Sequence, residues 1–478
     1  MRLSDAAIAM QGECLGQDQD FSQVSIDTRQ LTSGDLYFAL KGQRFDGHDY
    51  VAAAYQQKAC AAVINRAQWP ILQPVIQSLL AQQKMAVILV TDTRLALGAL
   101  AKAWQQAHPI RRVALTGSCG KTTVKEMIAA ILRTLGPVLA TVGNLNNDIG
   151  APLTLLKLTH EHQYGVFELG ANHRGEIDYT SDLVQPQIAL ITNADRAHLE
   201  GFGSVAQVAQ AKAEIFNHLV PQGIAVINID DPHGNYWREY CREKRVMTFS
   251  AKIGAQADYQ LIASQSAGYL GSHLRIQTPA GELQLTLPLI GRHQWANALA
   301  SVAVTHILGA TFEQIRLALL TLKPVPGRLN PRQMTLPGTA DSCLVIDDTY
   351  NANPFSVRAA IDVLAECNAP KILILGDMGE LGDASAVLHQ EIGAYAKSQG
   401  IDALFAVGHY ALYTQKGFGS DSIAVETQDQ LRPYFKQMLE KKPSAILIKG
   451  SRSAKMERVV EVVLAFSVAE QSMNSIIS

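Results

Sequence analysis

The run T-G-S-C-G-K-T-T, Thr116 to Thr123, sets two glycines, a lysine and three threonines at the spacing that holds a polyphosphate. It follows an apolar, strand-like RRVAL and precedes a helical pattern. Where a strand's C-terminal end meets a helix N-terminus, unpaired N–H groups and the helix dipole favour an anion. Gly117 and Gly120 let the backbone of Ser118 and Cys119 approach phosphates, Lys121 brings a cation to the β and γ oxygens, and the Thr122 hydroxyl can join a magnesium ion. Val124, Met127, Ile128, Ile131, Leu132 and Leu135 share one helical face, and Gly136-Pro137 stops the pattern. The full P-loop pattern wants glycine at 115, where Leu115 stands, so this is the shorter GxxGKTT form. The alternative is an ordinary strand-to-helix turn with a surface lysine. The strand, the helix and the doubled threonine favour ATP.

Other clusters occupy similar strand-to-helix positions. YGVFELG ends in Glu168, placed where an acid at a parallel strand's C-terminal end faces a ligand crevice; a capping or solvated carboxylate is the other reading. IALITNADRAHLEGFGS puts Asp195 and His198 in a polar loop. A lone loop histidine is ordinarily structural, but beside a nucleotide Glu168 and His198 are candidate magnesium ligands, histidine being an unusual choice for that hard cation. GNLNNDIGAP carries Asn144, Asn146 and Asn147, a set that suits either an Asx-capped turn or a sugar or diphosphate. Lys212, in the helical VAQAKAEIF, reads as a surface lysine, and the Asn297 amide of GRHQWANALA is able to pair with adenine. DDTYNANP (347–354), GDMGELG (376–382) and KGSRSAKME (449–457) each follow a strand and precede a helix, which places them on one edge of one sheet as a joint binding surface.

The elements that position these groups follow from composition. The chain has 478 residues, 47% apolar and 18% charged, which is globular and large enough for about three domains at roughly 150 residues each. Forty-one basic and 43 acidic residues leave a formal charge of −2, which excludes a strongly basic nucleic-acid binder. Cysteines at 14, 60, 119, 241, 343 and 367 form no CxxC pair and read as free thiols. The N-terminal apolar stretch is too short for a signal core, and no run approaches the ~18 residues of a membrane span, so a cytoplasmic protein is expected. Short Val/Ile/Leu runs alternating with helical patterns give an α/β class with largely parallel sheets. Breaks after MAVILV (85–90) and at KPVPGR (323–328) divide a small mixed α/β segment, 1–90, from a central segment, 91–322, and a doubly wound, Rossmann-like segment, 323–478. In the first, VSIDT (24–28) and DLYFAL (35–40) read as strands and VAAAYQQKA (51–59) as a helix; in the second, 258–290 reads as an antiparallel hairpin.

A series of segments in order, among them TGSCGKTT, ELGANHRGEI, NADRAHLEGFGS, AKAEIF and GRHQWANALA, resembles the Mur ligases, the ATP-dependent amide-forming enzymes of peptidoglycan synthesis. GNLNNDIGAPLTLL, DDTYNANP, LGDMGELG and IKGSRSAKMERVV resemble the branch that adds D-alanyl-D-alanine to UDP-N-acetylmuramoyl-tripeptide. The resemblance implies an N-terminal UDP-sugar domain, a central P-loop-type ATP domain and a C-terminal ligase domain. It implies that Lys121 and Thr122 hold ATP phosphates and Mg2+, with Glu168 and His198 at the metal, and that Lys212 carries a carbamate. Asn297 would meet adenine, and Arg328 with Asp347, Tyr350 and Asn351 would close over ATP. SIDTR (Ser25, Asp27, Arg29), LYFALKG (Lys41) and FDGHDY (Phe45, Asp46) would take the UDP-sugar, Asn144, Asn146 and Asn147 the muramoyl part, and Asn353 and Ser453 further substrate groups. Two departures stand out: Cys119 in place of the usual serine, and Gln294-Trp295 in place of an asparagine and an aliphatic residue. The implied protein is a monomer with no nucleic-acid or membrane partner. A sibling ligase adding one amino acid, or a folylpolyglutamate synthetase, is the nearest rival, which LGDMGELG and YNANP disfavour. A GTP-binding switch would need an NKxD motif that the chain lacks.

Overall fold

The structure, a computed structural model, describes residues 1–81, 85–195, 199–336, 342–439 and 443–474. The fold is α/β with mostly parallel sheets, and the chain divides into two compact units: 1–116 with 135–190 and 214–225, and 117–134 with 191–213 and 226–478.

In the first unit, β1 (Glu13–Gly16), β2 (Val24–Ser25), β3 (Leu36–Phe38), β4 (Ala61–Asn65) and β5 (Ala86–Val90) form a sheet in the order β1-β5-β4-β3-β2, antiparallel only at β1. Alternate residues feed two cores. Leu36, Phe38, Val63 and Ile88 pack with Leu3, Leu97 and Leu100, while Tyr37, Ile64, Val87 and Leu89 pack with Val51, Tyr55 and Ile76. Strands covered on both faces therefore read as continuous apolar runs. The strand expected over 24–28 is only two residues long, because Asp27 turns the chain: its carboxylate accepts the Arg29 N–H and caps a 3-10 turn, Thr28–Gln30. The helix expected over 51–59 stops at Gln56. The unit also holds β6 (Arg111–Thr116), β7 (Val138–Ala140) and β8 (Tyr164–Glu168), parallel in the order β6-β8-β7. In β9 (Ile188–Ile191) and β10 (Ile224–Asn228) the chain passes between the two units.

The second unit contains β11 (Arg245–Ser250), parallel to β12 (Tyr259–Ser266), which continues antiparallel through β13 (Ser272–Thr278) and β14 (Gly281–Leu287). This is the hairpin expected over 258–290, and alternate residues of β13 are buried. β15 (Asn330–Thr335), β16 (Ser342–Asp348), β17 (Lys371–Gly376), β18 (Ala403–Val407), β19 (Ser422–Val425) and β20 (Ala445–Lys449) form a sheet ordered β15-β16-β20-β17-β18-β19. All its pairs are parallel except β15–β16. Ile372 and Ile374 pack with Phe435, Val459 and Val463 on one face; Leu373 and Leu375 pack with Val357, Ile361 and Ile392 on the other. The sequence reading has no counterpart for the edge strands. β15 carries Pro331, tolerated only where no second neighbour needs the N–H.

The helix after the glycine-rich loop runs Lys121–Leu132, ending before Gly136; Val124, Met127, Ile128, Ile131 and Leu132 are fully buried, while Leu135 lies past its end. All six cysteines are free. Among the described residues no helix is long and apolar enough to cross a membrane.

Candidate functional site

In the second unit the loop Gly117–Gly120 is held by residues distant in sequence. Asn193 accepts the Ser118 N–H with its carbonyl (3.0 Å) and the Cys119 N–H with its side-chain oxygen (2.9 Å). Its Nδ2 and the Thr192 hydroxyl both donate to the Cys119 carbonyl, at 3.0 and 2.7 Å. The Ser118 hydroxyl donates to the Asp195 carbonyl and accepts the Asp195 N–H. A side chain at Gly117 would overlap the Thr192 hydroxyl. Gly120, at φ +83°, caps the helix, and a Cβ there would stand 2.6 Å from Asn297 Oδ1. Positive φ and that contact both require glycine. Thr116 and Thr123 are buried at the two ends of the run.

Lys121 Nζ donates to the Gly117 carbonyl at 2.6 Å, so its ammonium lies back over the loop, in which the Ser118 and Cys119 N–H groups expected to meet phosphate are engaged by Asn193. Thr122 Oγ1 accepts from Arg328 Nη2 at 2.9 Å, and the Arg328 guanidinium lies 4.2 Å from the Tyr350 ring centroid. Asn297 is buried, with Nδ2 donating to Gln294 Oε1 at 2.8 Å. Gln294, part of the Gln294-Trp295 departure, thus orients the asparagine that rests on Gly120. Trp295, the second residue of that pair, donates its indole N–H to Ser272. Lys212 is 3% exposed, and burial, reinforced by the positive charge of Lys121, brings its amine down to about 7. A solvated helix lysine is therefore not what AKAEIF supplies.

The three C-terminal clusters leave the C-terminal ends of β16, β20 and β17, which are adjacent parallel strands. Asp347 Oδ1 accepts from the Thr349 N–H and hydroxyl. The Tyr350 N–H donates to Gly327, and the Asn351 carbonyl accepts from Lys449. Asn353 Oδ1 caps the helix Pro354–Ala365 through Ser356, and its amide lies against Cys119 Sγ at 3.4 Å. The Ser453 hydroxyl is 3.1 Å from that of Ser451.

In the first unit Glu168 ends β8, is 3% exposed, and accepts from Asn146 Nδ2 at 2.9 Å, while its N–H donates to Thr141. Asn147 Oδ1 accepts the Ile149 and Gly150 N–H groups, an Asx turn opening the next helix, and Asn144 is exposed. Near the N-terminus Asp27 binds the Arg29 guanidinium at 2.7–3.2 Å, which holds its carboxyl below the usual range. The Ser25 hydroxyl donates to the Asp27 carbonyl. Asp46 accepts the His48 N–H and pairs with His48 Nδ1 at 2.6 Å. Lys41 bridges Asp46 through the backbone, and Phe45 is 71% exposed. His198 lies outside the described residues.

Among the described residues no three His, Cys, Asp or Glu side chains cluster as a metal set. The Thr122 hydroxyl, at the start of the helix after the loop, is an oxygen donor of the kind a nucleotide-bound magnesium takes beside phosphates and waters. Sequence reasoning took in Thr192, Asn193, Lys449 and Asp348 only within their clusters and gave none of them a role. The available signal was TNAD directly after β9 and a lysine closing the otherwise apolar AILIK.

Known proteins fit this arrangement. Three family models match successive stretches: the Mur ligase family, catalytic domain, at 20–105; the Mur ligase middle domain at 115–305; and the Mur ligase, glutamate ligase domain, at 332–452. The UDP-N-acetylmuramoyl-tripeptide–D-alanyl-D-alanine ligase of Escherichia coli is 44% identical over 463 residues, 96% of this chain and 97% of that one. Its Bacillus subtilis counterpart is 36% identical, covering 92% of each. Among solved structures, MurF from Acinetobacter baumannii superposes with a TM-score of 0.87 at 37% identity, over 96% of this chain and 98% of that one. MurF from Thermotoga maritima, in complex with ADP, gives 0.80 at 26%, over 94% and 98%. With models covering most of its length and relatives matched nearly end to end, the chain belongs to the Mur ligase family.

Proposed function

We propose that this protein is an ATP-dependent ligase that joins D-alanyl-D-alanine to UDP-N-acetylmuramoyl-tripeptide, giving the pentapeptide, ADP and phosphate in the cytoplasm. The observation that carries it is the cradled loop 117–123, with Lys121 and the Thr122 hydroxyl at the start of its helix. The substrates follow from relatives of that activity that match this chain over nearly its full length.

A carboxylate and an amine do not condense in water at useful rates. The tripeptide's terminal carboxylate oxygen attacks the γ-phosphorus of ATP, the bond to the β-phosphate oxygen breaks, and ADP leaves. The dipeptide's neutral amine then attacks the acyl carbon; phosphate departs and the amine proton is lost, leaving the amide. No protein nucleophile is required. Lys121 offsets charge on the transferring phosphoryl group, a contact that strengthens toward the transition state. Thr116 to Thr123, Asn297, Arg328, Asp347, Tyr350 and Asn351 bind ATP. Thr122, Glu168, His198 and a carbamate on Lys212 would hold a magnesium ion, which would supply charge neutralisation at the phosphates. The low amine pKa of Lys212 supports the carbamate, since only neutral amine adds carbon dioxide. Ser25, Asp27, Arg29, Lys41, Phe45 and Asp46 receive the UDP-sugar, Asn144, Asn146 and Asn147 the muramoyl part, and Asn353 and Ser453 further substrate groups. The three domains span 1–90, 91–322 and 323–478.

The test is phosphate release by purified protein with ATP, magnesium and UDP-muramoyl-tripeptide. D-alanyl-D-alanine should support turnover, with little from D-alanine, diaminopimelate or glutamate. Equal turnover with a single amino acid would leave only the family standing.

A further inference from the structure

A lysine buried at the end of an apolar strand is costly unless it is paired and hydrogen-bonded. Lys449, the last residue of β20, is 2% exposed. Its Nζ donates to Asp348 Oδ2 at 2.6 Å and to the Asn351 carbonyl at 2.9 Å. The other oxygen of Asp348 accepts the Leu329 N–H at 3.1 Å. Leu329 sits at φ +44°, a left-handed conformation that a leucine seldom adopts. Two positions earlier, the Gly327 carbonyl accepts the Tyr350 N–H at 3.0 Å. Arg328 is therefore pinned on both sides by the segment that Lys449 and Asp348 hold. Its guanidinium stacks over Tyr350 and reaches Thr122, while Arg328 Nε is buried with no hydrogen-bond partner among the described residues, a donor still available to an anion.

We infer that Lys449, through its buried pair with Asp348, is a positioning residue that presents Arg328 to the nucleotide phosphates. The inference rests on the reading of Arg328 as an ATP contact. Lys449 itself touches no substrate. It fixes the Asn351 carbonyl and the Asp348 carboxylate, and these fix the backbone on either side of Arg328.

The experiment is equilibrium binding of a non-hydrolysable ATP analogue with magnesium, by calorimetry, to the full-length protein and to Lys449→Met, Arg328→Ala and the double variant, with thermal unfolding of each. Lys449→Met should weaken the analogue about tenfold, within the range of coupling between contacting groups. In the Arg328→Ala background it should add less than twofold, because both substitutions remove the same contact. A role limited to stability would lower the unfolding midpoint and give independent, multiplicative effects on binding, which would overturn the proposal. Unchanged affinity in Arg328→Ala would overturn the underlying reading of Arg328, and the proposal with it. If Lys449→Met fails to fold, Asp348→Asn with Lys449→Met leaves no buried charge unpaired; loss of affinity in that variant supports the proposal, and wild-type affinity overturns it.

Discussion

The phosphate loop and the segment 25–48 both carry polar groups for a phosphorylated ligand, yet they are held in opposite ways. Loop positions 117–120 are fixed by Thr192, Asn193, Asp195 and Asn297, all far along the chain. In 25–48, Asp27 binds Arg29 and Asp46 binds His48, each two positions away, and Arg29 is largely exposed. A loop set by partners remote in sequence is preorganised for charge that develops during reaction, whereas an exposed local pair such as Asp27–Arg29 is free to exchange partners with a ligand. Damage should therefore spread from the first and stay local in the second.

The most severe expected effect is at Lys212. Lys212→Ala should lose nearly all turnover and regain part of it with formate, which can occupy the vacated oxygen position. Labelled bicarbonate should give a carbon-13 signal on Lys212 that grows as pH rises through about 7, where the amine becomes neutral. The same shift has a stability consequence. Between about 7 and the ordinary 10.5 the unfolded chain binds the extra proton, so stability should rise with pH across that window. Full activity of Lys212→Ala in carbon-dioxide-free buffer would remove the carbamate from the account.

Next in size, Lys121→Ala should cost roughly a hundredfold or more in turnover, the scale of losing a transition-state charge partner. A folded variant with near-normal phosphate release would show that the loop is not the phosphate site.

Gly117→Ala tests whether the remote buttress matters. Its methyl would displace Thr192, so nucleotide affinity should fall about tenfold, the scale of coupling between contacting residues, and adding Thr192→Ala should restore part of it. No recovery would show that the overlap is not the cause.

The smallest effects belong to the other region. Arg29→Ala breaks an exposed ion pair, so the unfolding midpoint should barely move while the KM for the UDP-sugar substrate rises several-fold. A large drop in midpoint would erase the contrast between the two regions. Cys119 offers a gentler probe of the loop: alkylation mapped by mass spectrometry should be faster there than at the buried Cys60, Cys241 and Cys343, and slowed by Mg-ATP. Equal rates with and without nucleotide would place the thiol away from bound phosphates.

Much of this was legible in the chain because it is local. A strand, a glycine turn and an amphipathic helix specify the loop from 111 to 132, and four apolar runs, each followed by polar residues and a helix, specify the parallel C-terminal sheet. The end of the loop's helix was not legible. Leu135 continues the apolar face and Gly136 is a sufficient stop, yet the helix finishes at Leu132. There the Thr134 N–H and hydroxyl both donate to the Ile131 carbonyl, three positions back, which tightens the chain into a turn. The edge strands β15 and β19 were invisible for a different reason: edges bury little, so they show little pattern.

The order of residues along the chain is enough for the class of fold, for Lys121 and Thr122 at a helix start, and for the family. Folding in three dimensions was needed for Asn193 to cradle the loop, Gln294 to orient Asn297, Lys212 to be buried, and Lys449 and Asp348 to brace the backbone around Arg328. The physical reason is range. Turns, caps and helical faces depend on residues a few positions apart, whereas burial and long-range hydrogen bonds depend on which segments folding brings together.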